Sequence, residues 1–76
     1  MREARPTLRL GIVHPDVELL QRNLSRLRYE IGSNGVNGVF DEQTEKAVKK
    51  YQQDHNLTVD GTVGHLTGSH IDAALA

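Results

Sequence analysis

Two stretches of this sequence repeat one pattern, and that pattern limits the folds open to the chain. "NGVFDEQT" at 37–44 and "DGTVGHLT" at 60–67 both read Gly-x-apolar-x-x-x-Thr, through Gly38, Phe40, Thr44 and through Gly61, Val63, Thr67. Asn-Gly and Asp-Gly mark tight turns, because glycine accepts positive φ and Asn or Asp bonds to its own turn backbone. A helical apolar period follows each turn. Each unit therefore reverses the chain, drops one apolar residue (Phe40 or Val63) into a core, and launches a helix whose threonine faces the bundle.

The first helix is expected from "HPDVELLQRNLSRLRYEI". Pro15 suits the first helical position, and Asp16 and Glu18 suit the positive end of the helix dipole. Val17, Leu20, Leu24 and Leu27 step by three and four along one stripe, which Ile31 extends. The helix is expected to end near Arg28 or Tyr29, where "GSNGVNG" supplies three glycines and two asparagines.

The second helix is expected over "DEQTEKAVKKYQQDHN", with Asp41 as N-cap and Asn56 as a left-handed C-cap. Thr44, Ala47, Val48, Tyr51 and His55 share its inner face. Glu18–Arg22, Glu42–Lys46 and Glu45–Lys49 are spaced as helix ion pairs. A third helix starts near Gly64 or His65 and runs toward Leu75. Its inner face takes Leu66 or Thr67, then His70, Ile71, Ala74 and Leu75, and Gly68 weakens it. "TLRLGIV" reads as a short extended segment through Leu8 and Leu10.

The expected fold is all-α, a small three-helix bundle with glycine-turn loops. Residues 1–7 are expected to be a flexible tail and 8–76 the domain. With 76 residues the chain has room for one small core. It has no cysteine to brace that core and a net charge of −1, which gives no nucleic-acid signature. No apolar run is long enough for a membrane span, and "MREARPTLRL" lacks the apolar segment of a signal peptide. Export within a longer protein, or release by phage lysis, would then carry the domain to an outside site.

No catalytic constellation emerges from the spacing. Asp41 and Glu42 read as helix-start residues, and Asp60 reads as a turn residue. His14, His55, His65 and His70 lack the spacing of a zinc site. His14 reads as a cap or loop residue and His55 as a helix-end residue. The chain is expected to be a non-enzyme with no metal and no cofactor. Gln21 and Gln52 recur at matching helix positions (Val17-x-x-Leu20-Gln21 and Val48-x-x-Tyr51-Gln52). Their amides read first as partners for nearby loop backbone. The other reading is a hydrogen bond to an amide-rich ligand.

The segments Asp16-Val17-x-x-Leu20-Gln21-x-x-Leu24, Asn37-Gly38-Val39-Phe40-x-x-x-Thr44-x-x-Ala47-Val48-x-x-Tyr51-Gln52 and Leu57-x-x-Asp60-Gly61-x-Val63-Gly64-x-x-Thr67 together resemble the peptidoglycan-binding domain family. The resemblance runs from about Leu8 to Leu75. Two departures stand out: Arg28 in a Leu-Gly-Tyr position, and Gly68-Ser69 where a large residue often follows the threonine.

The resemblance implies a three-helix module and a non-catalytic role, holding a wall hydrolase or phage component on peptidoglycan outside the cytoplasm, as a monomer. The site expected to meet the polymer takes Arg26, Arg28, Tyr29, Asn34, Asn37 and Gln52 around the first turn. The alternative is a protein–protein adaptor in a phage or secretion assembly. The same architecture resembles the pro-segment domain of matrix metalloproteinases, which does not bind walls.

Overall fold

A computed structural model describes residues 6–76. The expected tail therefore lies largely outside the described residues. Three helices form: α1 (Pro15–Arg26), α2 (Glu42–Asp54) and α3 (His65–Leu75). Among the described residues there are no strands, only two isolated antiparallel bridges, Leu8 with Val63 and Val13 with Val39. The all-α reading holds.

The helix starts follow local chemistry. His14 caps α1 through its ring, which accepts from the Asp16 N–H at 2.9 Å, and Pro15 opens the helix. Asp41 caps α2 by accepting from the Thr44 N–H at 2.9 Å. Gly64 stands at the same place before α3 and has no side chain to cap with.

Both long helices stop in one way. Tyr29 N–H bonds back to Leu24 at 2.9 Å, and Leu57 N–H bonds back to Gln52 at 2.8 Å. Between each pair one residue turns left-handed, Arg28 at φ 72° and Asn56 at φ 59°. These are Schellman closures, which satisfy the last helix carbonyls. Asn56 fulfils its expected role. α1 ends two residues earlier than its periodicity suggested, because Arg28 adopts the left-handed state usually left to glycine.

The helices enclose one core. Val17, Leu20 and Leu24 from α1 meet Ala47, Val48 and Tyr51 from α2, with Ile71 from α3. Phe40 and Val63 enter from the two turns as the repeat predicted, and Leu8 and Ile31 complete the set. A fully buried Phe40 contributes about 2–3 kcal/mol by leaving water. α1 packs against both other helices. The extended segment divides its leucines: Leu8 is buried in the bridge to Val63, while Leu10 stays exposed at the turn into Gly11.

One detail decides between stated alternatives and two correct the sequence reading. Thr67 faces inward and Leu66 outward, 78% exposed. Ala74 is exposed rather than on the inner face. The ion pair that closes between described residues is Lys50–Asp54 at 3.6 Å, not those at 18–22, 42–46 or 45–49.

Candidate functional site

The repeated turns are each locked by one buried glutamine. Gln21 accepts the Asn37 and Gly38 N–H groups, both at 2.9 Å, on Oε1. Its amide nitrogen donates to Val39 O and Thr44 Oγ1 at 2.9 Å and to Asn37 Oδ1 at 3.2 Å. Gln52 does the same one repeat later. It accepts the Asp60 and Gly61 N–H groups at 3.1 and 3.0 Å. It donates to Asp60 Oδ1 and Thr62 O at 3.0 Å and to Thr67 Oγ1 at 3.2 Å. Asn37 and Asp60 close their own turns by accepting from Val39 and Thr62 N–H. The glutamine thus replaces the water that the turn backbone would otherwise need, which is what a buried amide must do.

This arrangement sorts the expected site residues. Gln52 is fully buried and its amide is spent on the second turn, so the loop-partner reading describes it. Asn37 serves its own turn with its carbonyl, and Asn34 donates to Asp41 Oδ2 at 3.4 Å. Both lie at the start of α2. Tyr29 lies at the other end, where its hydroxyl donates to Asp54 Oδ2 at 2.8 Å. The 13 residues of α2 separate these ends by about 20 Å at 1.5 Å per residue. The expected set therefore falls into two groups: Arg26, Arg28 and Tyr29 at the α1 exit, and Asn34 and Asn37 at the first turn.

The α1 exit joins an aromatic cluster that sequence reasoning did not assemble. Tyr51 stacks on His55 with ring centroids 4.1 Å apart and meets Tyr29 edge-on at 5.4 Å. The Tyr51 hydroxyl and His70 Nδ1 are 2.5 Å apart, and the His55 and His70 rings lie 4.8 Å apart. Burial pushes the Tyr29 phenol up to about 12, with the Asp54 hydrogen bond and charge adding to it. The same hydrogen bond holds the Asp54 carboxyl below the ordinary carboxylate value. Tyr29 is half-buried, so it exposes only part of its ring.

A half-open groove of about 330 Å³ lies elsewhere, between the second turn and the start of α3. Leu57, Thr58, Asp60, Thr62, His65 and Leu66 line most of it. The sequence reasoning placed its site at the first turn and missed this concavity. One signal was present: aligning the repeats sets Gly64 against Asp41. No group of three His, Cys, Asp or Glu side chains suited to a metal forms among the described residues, and no described helix is long and apolar enough to cross a membrane.

The fold is a turn-and-helix repeat of the kind that bacterial wall-associated proteins carry as a binding module. Residues 13–70 match the peptidoglycan binding domain family, and the chain belongs to it. The N-terminal domain of SleB is similar at 30% identity and a TM-score of 0.86, covering 93% of this chain and 94% of that one. A Burkholderia AP3 phage endolysin is similar at 33% identity and a TM-score of 0.83, over 92% of this chain and 26% of the endolysin. A fused Zn-dependent amidase/peptidase/peptidoglycan-binding protein from Clostridium acetobutylicum is similar at 30% identity and a TM-score of 0.79, over 87% of this chain and 28% of that one. This chain thus spans about a quarter of the length of those two multidomain proteins. Among curated proteins none matches it significantly.

Proposed function

We propose that the chain is a non-catalytic module that binds peptidoglycan and holds an associated wall hydrolase or phage component against it. The family match over residues 13–70 carries this reading. The similar domains in an endolysin and in an amidase fusion support it. A tethered module raises the local concentration of its catalytic partner at the polymer and needs no chemistry of its own. The module would act outside the cytoplasm, or after phage lysis, as a monomer. The polymer-facing surface we favour is the α1 exit, with Arg26, Arg28 and the exposed part of Tyr29. Asn34 and Asn37 form a separate polar edge at the first turn.

Co-sedimentation of the purified chain with insoluble sacculi tests this. Retention that survives raised salt is expected. A folded chain left wholly in the supernatant would sink the reading.

One observation favours the adaptor alternative. Val13 and Val39 face each other across a bridge at 72% and 37% exposure, and Leu10 is 46% exposed. Adjoining exposed apolar residues are a feature of protein-docking surfaces. If this surface serves a protein partner, Val13→Thr leaves sacculus retention unchanged and weakens that partner's capture.

A further inference from the structure

The outer face of α1 and the turn that follows it carry three arginines whose guanidinium groups have no ion pair or hydrogen bond with any described residue. Arg22 and Arg26 are one turn apart and lie opposite the buried stripe of Val17, Leu20, Gln21 and Leu24. Arg28 follows at the helix exit, and all three are exposed. The nearest acidic residues along the chain, Glu18 and Glu30, pair with none of them.

Arg28 is the informative member. It holds φ 72°, a conformation that strains any side chain with a Cβ and that glycine takes freely. The second closure of the same kind uses Asn56, a residue that tolerates this state. The closure needs only the Arg28 backbone; the exposed side chain makes no hydrogen bond or ion pair with a described residue, and strain retained for such a side chain points to a functional role.

Resting on the wall-binding reading above, we propose that Arg22, Arg26 and Arg28 form a stripe that pairs with the carboxylates of peptidoglycan stem peptides. A guanidinium presents a planar fork that meets a carboxylate through two parallel hydrogen bonds. Successive stem peptides along a glycan strand supply carboxylates in series, which suits a row of forks better than a single pocket.

The test is sacculus co-sedimentation of the full chain, with thermal melting of each variant alongside. Arg28→Gly relieves the strain, so it is expected to raise the melting temperature while retention falls about twofold to fivefold, the scale of one exposed charge-pair contact. A joint Arg22→Gln and Arg26→Gln variant, with unchanged melting, is expected to lose more. Free stem peptide added in excess should displace the wild-type chain from intact sacculi to a similar extent. Wild-type retention should persist on sacculi freed of phosphodiester-linked polymers by hydrofluoric acid.

Wild-type retention by the arginine variants would overturn the stripe and leave the wall-binding reading intact. Loss only after hydrofluoric acid would overturn the carboxylate assignment in favour of phosphate. Full retention by Arg26→Lys with Arg28→Lys would reduce the stripe to simple charge attraction and overturn bidentate pairing. Absence of wild-type retention on intact sacculi would instead fail the wall-binding reading itself.

Discussion

Gln21 Oε1 accepts the backbone N–H of Gly38 at 2.9 Å, across seventeen residues of chain. Gln52 holds Gly61 at 3.0 Å in the second copy. Each amide also ties its turn to the threonine one helical turn further on, so one side chain sets the turn, the helix start and the packing between them. Gln21→Leu leaves the Asn37 and Gly38 N–H groups and Val39 O without their partner, and Gln52→Leu leaves the Gly61 N–H and Thr62 O without theirs, while the Asp60 N–H keeps Thr58 O at 3.1 Å. Each buried group so orphaned costs about 1–3 kcal/mol, so Gln21→Leu is expected to lose about 3 kcal/mol and Gln52→Leu about 2 kcal/mol. Urea denaturation measures this, and a loss under about 1 kcal/mol would mean that water replaces the amide.

The left-handed closures separate two otherwise similar substitutions. Arg28→Gly removes a strained Cβ at φ 72° and is expected to stabilise by about 1 kcal/mol. Asn56→Gly, at φ 59°, is expected to gain only a fraction of that, because asparagine already tolerates the conformation. Differential scanning calorimetry of the two variants gives the comparison, and equal shifts would remove the strain argument for Arg28.

The second copy lacks the cap that the first one has. Gly64 has φ −96° and open space around a would-be Cβ, so a side chain fits there without strain. Gly64→Asp is expected to copy the Asp41 cap and to stabilise by about 1 kcal/mol. Amide exchange checks it directly: the first-turn N–H groups of α3, above all that of Thr67, should become more protected.

Gly61 tests the turn from the opposite side. Its φ of 74° disfavours any Cβ, and an added one would lie 2.9 Å from Lys49 Cε and 3.0 Å from Glu45 Cγ. Those side-chain ends can swing away, so backbone strain dominates and Gly61→Ala is expected to cost about 1–2 kcal/mol. A neutral result in urea denaturation would show that the second turn shifts to a different type.

The fold was legible because its signals are local. Pro15, the Asp41 cap, the Asn56 closure and the apolar stripes each act within a few residues. The paired glutamines were legible too, since repetition placed Gln21 and Gln52 at matching positions before any distance was known. The end of α1 was not legible, because nothing in Arg28 itself marks a left-handed residue. Leu66 and Thr67 could not be ordered from α3 alone. The choice is made by Gln52, fifteen residues earlier in the chain, which needs a hydroxyl there. The aromatic cluster and the groove at the second turn are products of packing between distant segments, and periodicity within one helix is blind to both.

Four side chains contribute to the chain's response to pH. Asp41 is held low by the Thr44 N–H, Asp60 by the Thr62 N–H, and Asp54 by the Tyr29 hydroxyl. Unfolded, these carboxyls titrate near the ordinary value of about 4. Their stabilisation is therefore complete above that value and is lost as pH falls through the lower folded values. Tyr29 works at the other limit. Its phenol is raised to about 12 in the folded chain, first by burial and then by Asp54. The unfolded phenol ionises near about 10, so stabilisation is full below that and is lost as pH rises toward the folded value. Melting temperature against pH should accordingly fall at both extremes. Asp41→Asn keeps a good cap without a titrating group and should flatten part of the acid limb. Tyr29→Phe should flatten part of the alkaline limb, and an unchanged alkaline limb would shift that role to the buried Tyr51, whose phenol is also raised by burial.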